Sequence, residues 1–268
     1  MEGKTTEQEM PLVEMKGISK SFGEVRALKN VDFNVGRKEI VGLVGDNGAG
    51  KTTLVKILTG IHRPDSGEIY YKGKKVNIQN PAIARDMGIE PVHQRGSAIA
   101  EMNIWENFFL GKELRKRVGP FLVLDKKKMY EITRRTTSRI GIEIPSFDRP
   151  IGTLSGGEQQ AVLIGRTIHF GGELLVLDEP TSALSIRETD KVLTYVERAK
   201  RELGCSVIFI THIIRHIYPI ADRFVVLWQG EKISDLHKGE MTRKELEELI
   251  IRGKLKSLER NNEEGSGL

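Results

Sequence analysis

Three short motifs carry the residues that could do chemistry. They are GDNGAGKTT at Gly45–Thr53, LSGGEQQ at Leu154–Gln160 and LLVLDEP at Leu174–Pro180. The first matches the pattern G-x-x-x-x-G-K-[ST], whose glycines let backbone N–H groups close around phosphates. Lys51 would reach the β- and γ-phosphates of a nucleotide, and Thr52 would ligate Mg²⁺. The candidate nucleotide-binding residues of this loop are Gly45, Asp46, Asn47, Gly48, Ala49, Gly50, Lys51, Thr52 and Thr53.

The motif LLVLDEP supplies two adjacent acidic residues at the end of a predicted strand. Its apolar residues place the segment in a sheet, and open α/β sheets bind ligands at the carboxyl ends of their strands. Asp178 is the candidate for holding Mg²⁺ through water, and Glu179 is the candidate catalytic residue that polarises the attacking water. Phosphoryl transfer needs mainly positioning and charge neutralisation, so two acids with separate tasks fit it. Alone such a pair indicates an ordinary strand end, but the preceding phosphate loop favours catalysis.

Three further residues are candidates because of the strands that precede or follow them. Gln94 follows the strand in EPVHQ and could reach the metal or the attacking water. His212 ends the strand in VIFITH and could hydrogen-bond the γ-phosphate, while Phe22 in SKSFG could stack on adenine. Each has a structural alternative: a polar loop residue for Gln94, a structural histidine for His212 and a core aromatic for Phe22.

These motifs require a sheet that positions them. Apolar runs predict buried strands in EIVGLV, ELLVLD, SVIFIT and RFVVLWQGEKI, with helices such as Thr52–Leu58 and ETDKVLTYVERAKRE between them. This alternation predicts a parallel sheet with covering helices. Strands are also predicted at Val13–Met15 and Val31–Val35, and a hairpin at Gly67–Asn77. From about 95 to 165 the pattern changes to helices with loops, including EMNIWENFFLGKEL and LDKKKMYEITRRTTSRIGI, and LSGGE opens another helix.

Composition places the chain among soluble globular proteins. Of its 268 residues, 38% are hydrophobic and 29% are charged, and no apolar run approaches the ~20 residues that span a bilayer. The polar, acidic N-terminus is not a secretory signal. Cys205 lies in the apolar run CSVIFI, so it is predicted to be a buried thiol, and a lone cysteine fits a reducing cytosol.

The positive charge is concentrated in one segment. Residues 111–135 contain nine Lys and Arg against three Asp and Glu, a net charge of +6, so the rest of this +5 chain carries about −1. Such a segment is typical of contact with nucleic acid or an anionic membrane surface. The alternative is a solvated helical face.

The motif set resembles the nucleotide-binding subunits of ATP-binding cassette (ABC) transporters. The resemblance covers about residues 11–240 and implies an α/β fold: a P-loop NTPase, RecA-like core with an antiparallel β subdomain and a helical subdomain inserted at about 95–165. It leaves 1–10 as a flexible N-terminus and 241–268 as a charged C-terminal helix and tail. It also implies a head-to-tail dimer with ATP sandwiched between subunits. Ser155, Gly156 and Gly157 would then contact the γ-phosphate bound by the partner.

A narrower resemblance is to importers of simple sugars such as ribose, galactose or fructose. The phrases VHQ, NIWENFFLGKE and LSGGEQQAVLIGR are similar to that group. Many of those ATPases carry two cassettes, whereas this sequence has one. In TSALS, Ser185 stands where the family usually has an Asp that helps to couple the two ATP sites of the dimer. The resemblance therefore does not extend to this coupling residue.

The first hypothesis is therefore an ATPase that energises a membrane importer, with a monosaccharide as the expected cargo. It would use ATP and Mg²⁺, pair with a second ATPase subunit, identical or not, and bind transmembrane permease subunits at the cytoplasmic face of the cell membrane. An extracytoplasmic substrate-binding protein would be an indirect partner, nucleic acid would not be one, and the basic segment would face the membrane. The alternative is a soluble ABC ATPase acting on DNA or ribosomes, which usually adds coiled coils, zinc modules or a second cassette. A P-loop kinase or GTPase has no role for LSGGE.

Overall fold

A computed structural model describes residues 10–92 and 98–251. Within these residues the strands are β1 (Val13–Phe22), β2 (Val25–Val35), β3 (Ile40–Val44), β4 (Ser66–Tyr71), β5 (Lys74–Val76), β6 (Ile89–Val92), β7 (Arg115–Val118), β8 (Phe121–Leu124), β9 (Leu174–Asp178), β10 (Ser206–Thr211), β11 (Arg223–Trp228) and β12 (Glu231–His237). The helices are α1 (Lys51–Leu58), α2 (Pro81–Asp86), α3 (Ile104–Phe109), α4 (Lys126–Arg139), α5 (Gly156–His169), α6 (Ile186–Leu203), α7 (Ile214–Ile217) and α8 (243–251). No helix among them is long and apolar enough to cross a membrane.

A mostly parallel sheet forms the centre of the described structure. Its strand order is β12-β11-β3-β10-β9-β6, with only the edge strand β12 antiparallel to its neighbour. The interior strands are apolar on both faces, which is typical of parallel sheets covered by helices. In β10, Ile208 and Ile210 join one apolar cluster, whereas Val207 and Phe209 join the cluster on the opposite face. The predicted α/β architecture is confirmed.

A second sheet packs beside the central one. It has the order β2-β1-β4-β5, and its recorded pairings are antiparallel. The predicted hairpin around Lys72–Lys74 is confirmed, since β4 and β5 pair across Lys72 and Gly73. β2 is longer than its sequence pattern predicts, because SFGEVRALKN is rich in turn residues but Val25–Val35 is a continuous strand.

Between β6 and β9 the chain forms a helical region with its own apolar cluster. Its core includes Trp105, Phe108, Met129 and Phe147, all nearly inaccessible to solvent. The predicted helix in EMNIWENFFLGKEL is shorter than expected: α3 covers Ile104–Phe109. It begins there because Glu106 closes a capping box with Asn103.

Two sequence-based expectations are wrong in detail. The stretch between the predicted helices holds a two-stranded hairpin, β7 and β8, and α4 starts at Lys126 because Asp125 caps it. RFVVLWQGEKI is two antiparallel strands, β11 and β12, since Gln229 and Gly230 take positive φ and reverse the chain. Cys205 is buried as predicted, and burial raises the pKa of its thiol to about 11.

The termini predicted from sequence fall largely outside the described residues. This applies to 1–9, nearly all of the flexible N-terminal segment 1–10, and to 252–268 of the C-terminal segment 241–268. The part of the C-terminal segment that is described forms α8. Thr242 caps this helix through reciprocal hydrogen bonds with Glu245.

Candidate nucleotide-binding and hydrolysis site

A cleft of about 720 Å³ lies at the carboxyl end of β3, where the two larger sheets meet. The glycine-rich loop between β3 and α1 forms its floor. Another wall is formed by Glu24, in the turn between β1 and β2, and by Val25 at the start of β2. Among the residues predicted from sequence, the cleft brings together Asn47, Gly48, Ala49, Gly50, Lys51, Thr52, Thr53 and Glu179.

Two glycines hold the loop at positions where no side chain fits. Gly45 has φ 144°, and an added Cβ would lie 2.2 Å from the carbonyl oxygen of Leu227 in β11. Gly50 has φ 100°, and its Cβ would lie 2.6 Å from the carbonyl oxygen of Ala27 in β2. Only glycine combines these backbone angles with such close approach. The loop is therefore wedged between both sheets at the floor of the cleft.

Lys51 opens α1 from inside the loop, and only 6% of its surface is exposed. Its Nζ donates hydrogen bonds of 2.8 Å to the carbonyl oxygens of Gly45 and Asp46. Burial lowers the pKa of Lys51, while the charges of Glu179, Asp178 and Asp46 act to raise it. The Lys51 ammonium group is thus held in a buried position within the field of three carboxylates.

Glu179 follows β9 in a strained backbone conformation. Its φ is +50°, the left-handed region that costs a non-glycine residue free energy. The carboxylate accepts hydrogen bonds from the His212 backbone N–H at 3.1 Å and from the Thr211 hydroxyl at 3.3 Å. It also lies 2.7 Å from His212 Nδ1. Strain at a residue whose side chain is fixed by its neighbours is typical of a functional site.

His212 therefore contacts Glu179 directly, which sequence reasoning did not foresee. Thr211 is a further residue of the site that it missed. The signal was present, because Thr211 ends the apolar strand β10 beside the end of β9, and parallel strands bring their carboxyl ends to one edge. The sequence predicted no function for His216. Its Nδ1 lies 2.9 Å from the hydroxyl of Thr181, a residue that closely follows Glu179 in the chain.

Asp178 and Thr52 stand at the same edge of the sheet. Asp178 is the last residue of β9, and its charge acts on Lys51. Thr52 lines the cleft and is exposed there. A hydroxyl and a carboxylate are oxygen ligands of the kind that Mg²⁺ prefers, together with water and nucleotide phosphates.

Two predicted residues lie beside or beyond the cleft. Phe22 is not a core aromatic, because 44% of its surface is exposed. It pairs with Val25 of the cleft wall, and its ring meets the edge of His62 at 5.1 Å. Gln94 lies outside the described residues, so its role stays a prediction.

The motif LSGGE forms the start of α5. Ser155 is the N-cap: its Oγ accepts from the Glu158 N–H at 3.3 Å, and Glu158 accepts from the Ser155 N–H at 2.9 Å. Gly156 is exposed, whereas Gly157 packs against Glu188 of α6. None of these residues lines the described cleft of the same chain. Ser185 caps α6 with a second capping box, using Glu188.

Sequence comparison places this site in a known family. The family described as "ABC transporter" matches residues 28–182, more than half of the chain. The chain belongs to the ABC transporter family. Its ATP-binding proteins hydrolyse ATP to power transport, so this ABC protein is an ATPase.

Several relatives are similar to this ABC protein over most of its length. The xylose/arabinose import ATP-binding protein of Sulfolobus acidocaldarius is 39% identical over 89% of this chain and 93% of its own. The ribose import ATP-binding protein of Caldanaerobacter subterraneus subsp. tengcongensis is 41% identical over 92% of this chain. The present chain spans about half the length of that relative, 49%.

Solved structures agree on the fold. An ATP-binding cassette of an ABC transporter in its ADP conformation superposes with a TM-score of 0.80, at 24% identity, over 92% of this chain and 99% of that one. A dimeric bacterial ABC transporter cassette superposes with a TM-score of 0.68, at 24% identity, over 85% of this chain and 100% of that one. At this identity the likeness defines the architecture alone.

Proposed function

We propose that this chain is the ATP-hydrolysing subunit of an importer that carries a simple sugar across the cell membrane. The observation that carries the ATPase assignment is the Glu179 carboxylate, which Thr211 and His212 hold in the cleft that Lys51 also lines. The assignment to a sugar importer rests on the relatives, which are named as xylose/arabinose and ribose import ATP-binding proteins.

In the proposed mechanism the loop Gly45–Thr53 binds the phosphates of ATP through its backbone N–H groups. Lys51 neutralises charge that develops on the β- and γ-phosphates. Thr52 and Asp178 would hold Mg²⁺, which would neutralise negative charge on the phosphates when bound. Gln94 is a further candidate ligand.

Glu179 is the residue that we assign to the attacking water. Its carboxylate orients the water oxygen toward the γ-phosphorus and accepts a hydrogen bond from the water. As the water oxygen bonds to the γ-phosphorus, the bond from that phosphorus to the β–γ bridging oxygen breaks. One proton of the water passes to the Glu179 carboxylate, and ADP and inorganic phosphate are released. We assign His212, whose Nδ1 lies 2.7 Å from the Glu179 carboxylate, to a hydrogen bond with the γ-phosphate and to orienting that carboxylate.

A second ATPase subunit completes the proposed site. Ser155 and the N-terminal amides of α5 do not line the cleft of their own chain. Helix N-termini bind phosphate through free N–H groups and the helix dipole. We therefore assign Ser155, Gly156 and Gly157 to the γ-phosphate of ATP held by the partner. Phe22, exposed beside the cleft, is assigned to adenine.

The proposed location is the cytoplasmic side of the cell membrane, bound to transmembrane permease subunits, with an extracytoplasmic binding protein delivering the sugar. Uptake of labelled xylose, arabinose and ribose tests this in host cells that lack the chain. We expect uptake of at least one sugar to be lost and to return with the wild-type chain but not with Lys51→Ala. Unchanged uptake of every sugar, with the purified chain binding DNA or ribosomes, would support the alternative function.

A second test uses purified protein and measures ATP binding and hydrolysis without any transported substrate. Glu179→Gln should bind ATP, form an ATP-dependent dimer in size-exclusion chromatography and lose nearly all hydrolysis. Glu197→Gln, an exposed position on α6, is the matched control and should behave like the wild type. Equal ATPase rates in the two variants would remove Glu179 from its assigned role.

A further inference from the structure

The hairpin of β7 and β8 exposes apolar and basic side chains together. β7 carries Arg115, Lys116 and Arg117, and β8 is the apolar run FLVL; all residues of both strands are exposed. Arg115 pairs with Leu124 and Arg117 with Leu122, while Lys116 pairs with Val123. Residues in register share a face of the ribbon. Each face of the hairpin therefore presents cations next to branched apolar side chains.

This apolar exposure is concentrated rather than scattered. Of the twelve large apolar residues exposed in the described part of the chain, five lie in this hairpin. Phe121 is 71% exposed and Leu122 is 59% exposed. Single exposed apolar residues need no explanation, but a contiguous patch marks an interaction surface. A two-stranded ribbon is also only marginally stable in water. Contact with an apolar phase would therefore stabilise the folded hairpin.

The hairpin is joined to the helical region at its base. The Asp125 N–H donates to the Leu114 carbonyl oxygen at 2.8 Å, and Lys116 lies 3.4 Å from the Asp125 carboxylate. The strands themselves project beyond this base, and Leu114 at their foot is only partly buried. The tip around Val118–Phe121 is thus free to enter another phase without disturbing the helical core.

The positive charge continues from the hairpin onto α4. Met129, Thr133 and Thr137 form the buried side of this helix, whereas Lys126, Lys127 and Lys128 at its start are exposed. The segment 111–135 has a net charge of +6. Its acidic residues are three, and one of them, Asp125, is used within the hairpin base. The surface around the apolar tip is accordingly cationic.

We propose that this hairpin inserts its apolar tip into an anionic phospholipid surface, with Phe121 and Leu122 at the acyl boundary and the flanking Lys and Arg among the headgroups. Membrane-surface binding requires both buried apolar area and attraction to anionic lipid, and the hairpin supplies both from adjacent positions. The cations of β7 are exposed long side chains, which suits a fluid headgroup layer. The proposal goes beyond the ATPase function and does not depend on which solute is carried.

Vesicle binding by the purified full chain tests the electrostatic part. Vesicles of equal parts phosphatidylglycerol and phosphatidylcholine should float the chain in a density gradient, and phosphatidylcholine alone should not. Each cation near an anionic surface contributes roughly fivefold in affinity, so Arg115→Ser/Lys116→Ser/Arg117→Ser should weaken binding about 100-fold. Arg37→Ser/Lys74→Ser/Arg201→Ser removes the same charge from exposed positions outside the helical region and should bind as the wild type does.

A fluorescent variant tests insertion of the tip. When vesicles are added, Phe121→Trp should give emission that shifts to the blue and is quenched by brominated lipid, because the new indole enters the acyl region. The wild-type chain provides the background, since its Trp105 is buried and its Trp228 is partly buried. Phe121→Ser/Leu122→Ser should weaken vesicle binding at least tenfold while leaving ATPase activity of the soluble chain unchanged.

Two results would overturn the proposal. One is equal vesicle binding by the hairpin and control triple variants. The other is loss of transport in the hairpin variants with vesicle binding unaltered, which would assign the hairpin to a protein partner. Either outcome leaves the ATPase assignment intact, because that rests on Glu179 and Lys51.

Discussion

Replacing Glu179 by glycine and by alanine separates the backbone strain of this residue from its chemistry. Both changes remove the carboxylate, so both should lower ATP hydrolysis by about 10²- to 10⁴-fold, the usual contribution of a positioned base. Only glycine relieves the left-handed backbone at φ +50°. A non-glycine residue in that region costs about 1 kcal/mol. Glu179→Gly should therefore be about 1 kcal/mol more stable than Glu179→Ala.

The assay is thermal and urea unfolding of the nucleotide-free chain, combined with steady-state phosphate release. For a protein of this size about 1 kcal/mol corresponds to roughly 2–4 °C in Tm. Lys38 provides the control, since it has φ +54° and stands before β3, at the opposite end of that strand from the cleft. Lys38→Gly and Lys38→Ala should differ in stability by a similar amount and hydrolyse ATP normally.

Two results would refute this reasoning. Equal stability of the Glu179→Gly and Glu179→Ala proteins, with the expected difference at Lys38, would show that Glu179 carries no backbone strain. Normal hydrolysis in either Glu179 variant would show that its carboxylate does not act on the attacking water. The comparison thus tests the geometry and the chemistry independently.

Further predictions concern the phosphate loop and a buried ion cluster. Gly45→Ala should cost more unfolding free energy than Gly48→Ala in urea titration, because its Cβ would collide with Leu227 whereas that of Gly48 meets nothing within 4 Å; equal losses would contradict this. Arg223, 5% exposed, bonds Asp235, so Arg223→Met should destabilise by about 3 kcal/mol. Burial acts to raise the pKa of Asp235, but the hydrogen bonds and charges of Arg223 and Lys232 together outweigh it, so the pKa is lowered. The stability that the Asp235 carboxylate contributes to the wild type should therefore be fully present above the ordinary pKa of aspartate. It should be lost as the pH falls through the lowered pKa of Asp235. Arg223→Met should flatten this pH dependence.

Much of the candidate site could be predicted because its signals are local. Consecutive residues specify the phosphate loop, since glycine spacing, a lysine and a hydroxyl at the start of α1 are enough to bind phosphate. Apolar runs predicted β3, β9 and β10, and the carboxyl ends of parallel strands meet at one edge. That rule places Asp178, Glu179 and His212 near the loop on the strength of the strand pattern alone.

The hairpin of β7 and β8 shows where local signals fail. RKRVGPFLVL has no polar and apolar alternation and lies between two helices, so its signal for pairing was limited to the turn-favouring Gly119–Pro120. Its cross-strand register becomes visible only once the chain reverses at Gly119, where φ is +60°. Likewise Gln229 and Gly230 split one apolar run into two strands because both adopt positive φ.

The sequence by itself determined the nucleotide chemistry, the alternation of strands and helices and the concentration of charge in 111–135, because each depends on neighbouring residues. Tertiary structure decided what depends on residues far apart in the chain. Gly45 must be glycine because the Leu227 carbonyl lies against it, and Glu179 is aimed because Thr211 and His212 end the adjacent strand. Such contacts join segments that only folding brings together, so no local pattern encodes their geometry.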